Sequence, residues 1–451
     1  MFTPHTKYEI KEMLKVIGVD TIEDLFEKVP EKHRFPELDL PEPLTEMELA
    51  VELNEISSAN APADDFISFL GAGAYNHYIP AAVDMLLRRG EFYTAYTPYQ
   101  PEISQGTLQS IFEFQSLMTE LTGMDVSNAS HYDGATAAAE AANLAYHFFR
   151  GKRNKILVTR AVHPQYRETI RTYMYGLEDV VVFGDEEQAG FSPDLQNTLD
   201  QIDNNTALVV VQYPDFFGRI LDYTKLIEIA HARGALVCMV FNPTALGLLK
   251  PPGEFDVDIA VGDGQPLGIP LSFGGPYLGI FTIKEKYVRK LAGRLVGETV
   301  DEEGQRAYVL TLTAREQHIR REKSTSNICT NQGLMALAAT VYLSLLGKKG
   351  FKQVANLCYQ KAHYAAQKIS KLEGFELAFP DTPFFHEFVI KTPKPVFEMN
   401  FHLQNHWVLG GYDLNQAYPE LEHHMLVAVT EKISKQDIDD FVLALQEVTN
   451  D

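Results

Sequence analysis

The apolar positions of this chain fall into two textures. Over "KILVT", "DVVVF", "ALVVVQYP", "ALVCMVFN" and "DIAVG" they come as short uninterrupted runs. Such runs suit strands of a parallel sheet whose two faces are both covered by helices. Between them "GATAAAEAANLAYHFFRG" is an alanine-rich helix, and "TKLIEIAHARG" supplies a crossover helix ending at Gly234. The pattern predicts a doubly wound α/β domain over residues 61–325. "TSNICTNQGLMALAATVYLSLLGKKG" then reads as a helix stopped by glycine. Beyond it the helix "FKQVANLCYQKAHYAAQKISKLEG", the strands "HEFVIK" and "HMLVAVTE" and the helices "VFEMNFHLQNHW" and "KQDIDDFVLALQEV" predict a smaller αβ domain, 326–451. Residues 1–60 are charged and proline-punctuated, an extended arm entering a helix where Thr45 and Glu48 make a capping box. There is no internal repeat or low-complexity tract.

Composition narrows the function classes. The 451 residues carry a formal net charge of -22, which argues against nucleic acid, since phosphate binding needs concentrated lysine and arginine. The basic run "REQHIRREK" from Arg315 to Lys323 is local; its arginines are expected to pair with acidic neighbours, and anion binding is the alternative. Cys238, Cys329 and Cys358 are too scattered for a disulfide framework or a paired metal motif, which points to a reducing compartment. The amino terminus resembles no secretory or transit signal, and no uninterrupted apolar run reaches membrane-spanning length, so a soluble cytoplasmic protein is expected. No metal is expected: His423 and His424 would face opposite ways on a strand.

The chemical signals are modest one by one. "GAGAYN" from Gly71 to Asn76 begins like a dinucleotide fingerprint but lacks the third glycine, so a turn needing positive φ is favoured. Gly134, Ala135 and Thr136 open a helix whose amino end could hold a phosphate, or is simply capped. His163 lies just past a strand, with a structural role the simpler reading. The loop within "DIAVGDGQPLGIPLSFGGPYLGIF" has the glycine-rich build of a reactive loop. Yet nothing in it is expected to attack or to take a proton at neutral pH. "FYTAYTPYQPEISQG" is the least ordinary segment: Tyr93, Tyr96 and Tyr99 with Gln100, Glu102 and Gln105 on a proline-stiffened loop suit recognition of a ligand or a partner.

Taken together, "YTPYQPEISQG", "GATAAAEAAN", "QYPDFFGRI", "FGGPYLGIF" and "TAREQHIRREKSTSNICTNQGLMAL" closely resemble glycine decarboxylases, the P-proteins of the glycine cleavage system, and most of all the first chain of their two-chain bacterial form. The resemblance runs over nearly the whole chain. It implies the fold of type I pyridoxal-phosphate enzymes, with a large cofactor domain and a small carboxy-terminal one. It also implies a pocket built in chain order: Gly134 to Thr136 as the phosphate-holding helix start, His163 near the ring-stacking position, an acid after the strand "ALVCMVF", then a Schiff-base lysine. Here Asn242 stands for the acid, and Gln265 and Pro266 stand where the catalytic chain has histidine and lysine.

By resemblance, therefore, no cofactor-binding set is intact in this chain. Pyridoxal phosphate belongs to a partner, subunit 2, most simply in a two-plus-two heteromer. The pair would decarboxylate glycine and pass the aminomethyl group to the lipoyl group of H-protein. Tyr96, Tyr99, Gln100 and Glu102 are the residues expected to reach the partner's site, with Arg315, Arg320 and Arg321 as secondary candidates. Two alternatives stay open at this stage: a scaffold subunit that touches no ligand, and a self-sufficient pyridoxal enzyme using another lysine such as Lys323.

Overall fold

The computed structural model describes residues 4–177, 180–184 and 195–450, and the chain divides into two units, Met1–Pro62 and Ala63–Asp451. In the first unit the helices Lys7–Ile17 and Glu46–Ser58 both begin with a capping box, Thr6 with Glu9 and Thr45 with Glu48. Each box satisfies N–H groups that a helix start leaves unpaired.

The second unit is organised by a seven-stranded sheet in the order Val126–Ser127, Gly279–Ile283, Ile259–Asp263, Leu236–Phe241, Thr206–Tyr213, Lys155–Val158 and Val181–Gly184. From Ile259–Asp263 to Val181–Gly184 all neighbours are parallel, whereas Gly279–Ile283 runs antiparallel to Ile259–Asp263. Asp179 of the predicted run "DVVVF" lies outside the described residues. The uninterrupted apolar runs are explained by the two faces. Val209, Val211, Val237, Met239 and Ala260 enter one core cluster, while Leu208, Val210, Cys238, Val240 and Val261 enter the cluster opposite. Successive residues of a strand point to opposite sides, so only a sheet buried on both sides needs apolar residues at every position.

A second, antiparallel sheet has the order Glu376–Leu377, Glu387–Lys391, His424–Ala428 and Tyr412–Asp413. Phe388, Ile390, Met425 and Val427 pack on one side with Ala362, Ala366 and Phe441, and Val389 and Leu426 on the other with Phe216, Phe217 and Tyr418.

Two sequence expectations are corrected here. The helix from Gly333 is not stopped at Gly350. It continues to Ile369, interrupted at Gly347, whose φ of 57° and ψ of -179° break the helical path. Gly347 tolerates that conformation because it has no Cβ to crowd its own backbone. This helix is long and apolar enough to cross a membrane by composition, but Ala336, Leu337, Ala338, Ala339 and Tyr342 are buried in the protein core. The hairpin of Leu295–Val300 with Arg306–Thr311 was not foreseen, because its half-exposed, charged positions give no apolar run.

Candidate functional site

The helix Gly134–Phe148 starts beside the end of strand Ile259–Asp263, and the chain's own carboxylates fill that start. Asp133 is the N-cap: its side chain accepts from Thr136 N at 2.7 Å. Gly134 N donates to Asp263 Oδ2 at 2.9 Å, and Gln265 N donates to Asp263 Oδ1 at 2.9 Å. Above them sits the Tyr166 hydroxyl, 2.0 Å from where a Cβ on Gly134 would lie. Burial pushes the Asp263 carboxyl up to about 7; the Gly134 and Gln265 N–H groups oppose the rise, and Asp133 adds to it. This corrects the expectation that the loop region holds no group able to take a proton at neutral pH. Asp263 is such a group, turned inward on the helix start.

Because its folded-state pKa is raised, Asp263 contributes stability that is fully present below about pH 3.8 and lost as the pH rises through about 7. Asp263→Asn should flatten the decline of unfolding free energy between pH 4 and 7 by about 1.4 kcal/mol per pH unit. Denaturant titration at each pH reads this directly; an unchanged slope would mean that Asp263 titrates as an ordinary carboxylate.

His163 caps the helix Pro164–Met174, its side chain accepting from Gln165 N at 3.2 Å. With Nδ1 acting as acceptor, Nε2 carries the hydrogen and donates to Ala72 O at 2.8 Å. Burial lowers its pKa to about 4, so the ring is neutral at pH 7. It thereby pins the "GAGAYN" turn, where Ala72 and Gly73 have φ of 57° and 104°, the positive φ read from the sequence. Asn242 Oδ1 accepts from Thr244 N at 2.9 Å, and its Nδ2 lies 3.0 Å from His386 Nε2.

Gln265 is buried and joins two segments. Its Oε1 accepts from Tyr75 N at 2.8 Å, and its Nε2 donates to Tyr75 O at 2.9 Å and Ile269 O at 2.8 Å. It is a structural cross-link, and the Pro266 that follows offers no polar side chain.

The residues present do not fit pyridoxal phosphate. Two carboxylates and a hydroxyl occupy the helix start a phosphate would need, Gln265 is spent on backbone groups, and Asn242 presents no carboxylate. Lys323 is solvent-exposed on a short 3-10 turn, Arg321–Lys323.

The tyrosine loop is built differently. Gln105 anchors its base, donating to Pro101 O and Tyr308 O at 2.7 and 2.9 Å and accepting from Tyr308 N at 2.9 Å. The unforeseen hairpin therefore holds the loop. Tyr99 lies against His318 at a 6.1 Å ring separation, and its hydroxyl is 3.4 Å from Arg294 Nη2. Tyr96 is 82% exposed, and Gln100 and Glu102 also face solvent. Tyr93 and Tyr96, with Thr330, Asn331, Leu334 and Leu337, line a cavity of about 270 Å³; Tyr99, Gln100 and Glu102 lie outside its lining.

The basic run also departs from expectation. Instead of an acidic partner, Arg315 donates to Leu312 O and Gly293 O at 3.0 and 2.9 Å, and Arg320 to Ala314 O at 3.3 Å. Among the described residues neither arginine, nor Arg321, forms an ion pair with a carboxylate. Asn331 and Arg294 are site features the sequence reading missed. Their partners are backbone groups far along the chain, Ala129 O for Asn331 and Cys329 O for Arg294, and no local motif announces them.

Of the two adjacent histidines, His423 Nδ1 lies 3.1 Å from Thr392 O while His424 begins a strand. A different trio, His77, Cys358 and Glu431, brings its donor atoms within 4.8 Å of one another. Glu431 is committed there, with its Oε2 2.6 Å from His77 Nδ1 and accepting from Cys358 Sγ at 3.3 Å, and its Oε1 accepting from Tyr78 N at 2.7 Å.

Comparison with known proteins identifies the family. The sequence profile of the family described as glycine cleavage system P-protein matches residues 1–445. The chain is 54% identical over 439 residues to the probable glycine dehydrogenase (decarboxylating) subunit 1 of Desulforamulus reducens, with 97% of each chain covered. It is 52% identical over 450 residues to the protein so described in Thermomicrobium roseum, covering both chains completely. It superimposes on a crystal structure of glycine decarboxylase (P-protein) in inhibitor-bound form with a TM-score of 0.89 at 42% identity, covering 99% of this chain and 100% of that one. Sphingosine-1-phosphate lyase of Burkholderia pseudomallei, 15% identical with a TM-score of 0.63 and 94% of each chain covered, shares the fold alone. By coverage and identity, the chain belongs to the glycine cleavage system P-protein family.

Proposed function

We propose that this chain is the subunit of glycine decarboxylase that carries no Schiff-base lysine, and that it completes a site whose cofactor the second subunit holds. The family and its relatives support glycine decarboxylase activity exercised as part of a heteromer, and the relatives' designation as subunit 1 implies a second subunit. The observation that carries the finer reading is Gln265. Where the resemblance puts a histidine and a lysine, Gln265 is fully engaged with Tyr75 and Ile269 and Pro266 carries no amine, beside a helix start closed by Asp133 and Asp263.

In this reading glycine loses carbon dioxide and its remaining aminomethyl carbon bonds to one sulfur of the lipoyl disulfide of H-protein. The electron pair of the broken C–C bond opens the disulfide, and the other sulfur takes a proton. Pyridoxal phosphate, in the partner, supplies the electron sink. This chain's part is positional. Tyr96, Tyr99, Gln100 and Glu102 stand on a loop fixed by Gln105 and Arg294, where their hydroxyl, amide and carboxylate groups orient substrate or exchange protons in the partner's pocket. Exposed Met85, Tyr93, Tyr96 and Ile103 give the surface around that loop the apolar character an interface uses. The division of the chain into domains 61–325 and 326–451 belongs to the same reading and is supported by the separation of the seven-stranded sheet from the four-stranded one.

The test is complementation. Exchange of the glycine carboxyl group with labelled bicarbonate should require this chain, subunit 2 and lipoylated H-protein together, with neither subunit active alone. Full exchange by subunit 2 without this chain would remove the proposal.

A further inference from the structure

Behind Tyr99, a second cavity opens between the segment 289–294, the turn at Arg315 and the segment 325–330. Arg289, Lys290, Arg294 and Arg315 line it, with Glu316 the single acidic residue in its wall. In a chain of net charge -22 four cations around one small space run against the average. Among the described residues none of the four is paired with a carboxylate, while Glu316 lies 3.6 Å from His318 Nδ1.

Two of these cations have unused donors. Arg294, 4% exposed, spends Nη1 on Thr330 Oγ1 and Asn331 Oδ1 and Nη2 on Cys329 O, and its buried Nε has no partner. Arg315 spends Nε and Nη2 on carbonyls, and its buried Nη1 has none. A buried guanidinium N–H without an acceptor is costly, and these arginines meet uncharged carbonyls where a carboxylate or phosphate would repay their desolvation better. The cavity has about 30 Å³ of room. That space admits an ion of several atoms and excludes a large molecule.

We propose that this cavity is a seat for a small oxyanion, a phosphate or a carboxylate, held chiefly by Arg315 and Arg294. The site does not depend on which subunit holds the cofactor. Through the contact of Arg294 with the Tyr99 hydroxyl, an occupied seat would brace the tyrosine loop.

Calorimetric titration of the full chain with inorganic phosphate at constant ionic strength tests it, with sodium acetate as the carboxylate probe. Saturable binding by either is expected, weakened at least tenfold in Arg315→Gln. Lys290→Gln, at an exposed position whose loss leaves the packing alone, should weaken it several-fold. Tighter phosphate binding would identify a phosphate seat, tighter acetate binding a carboxylate seat. Binding that is lost once subunit 2 is added would show that the partner delivers the anion. Absence of saturable binding by both probes, or equal binding by wild type and a folded Arg315→Gln, would overturn the proposal.

Discussion

Tyr96→Phe or Glu102→Gln in the assembled enzyme is expected to lower turnover by about one to three orders of magnitude, the range for removing a positioned hydrogen bond or proton carrier. Both side chains face solvent, and among the described residues neither has a hydrogen-bond partner within the chain. Folding therefore does not need them; exposed substitutions of this kind change stability by about 0.5 kcal/mol or less. A large loss with folding and assembly intact would fit the proposed part of this loop in the partner's site. The informative readouts are the turnover number at saturating glycine, the assembly state by gel filtration, and the cofactor absorbance. Loss of assembly would favour a scaffold role. Unchanged turnover in both variants with the complex intact would place the contribution on another loop.

A lysine placed at position 265 or 266 should not create a cofactor site. Gln265→Lys places an ammonium among Tyr75 N, Tyr75 O and Ile269 O, where a glutamine now satisfies one donor and two acceptors. Lysine has no acceptor, so Tyr75 N is left unpaired in a buried site, at a cost of about 1–3 kcal/mol. The helix start remains closed by Asp133 and Asp263, and Asn242 still presents an amide. Borohydride reduction of the variant incubated with pyridoxal phosphate is expected to trap no cofactor at position 265, and thermal unfolding to shift downward. Stoichiometric trapping there would show that one side chain alone had closed the pocket.

The fold was largely legible because its strands are buried on both faces. A run such as "ALVVVQYP" can satisfy the clusters containing Val209 and Val210 only within a covered parallel sheet. The capping boxes are legible for a different reason, since their partners sit three residues apart. What could not be read is what depends on distant partners. Gln265 finds Tyr75 across 190 positions and Gln105 finds Tyr308 across 203, and no local pattern carries such pairings. Asp263 follows the strand "DIAVG" in the sequence, but its elevated pKa comes from burial, with Asp133 adding to it against the Gly134 N–H, and only the folded chain brings these groups together. Gly347 shows the opposite limit. Glycine signals that a helix can be broken, and the packing of Phe351, Ala355 and Cys358 into the core keeps the chain helical beyond the break.

The proposed function has this chain complete a pyridoxal-phosphate site without holding the cofactor. Its most direct test is to reduce the active assembly of both subunits with borohydride and map the pyridoxyl label by peptide mass spectrometry. One label is expected for each subunit 2, all of it on a lysine of that partner, and none on any peptide of this chain. A stoichiometric label on a lysine of this chain, Lys323 included, would contradict it.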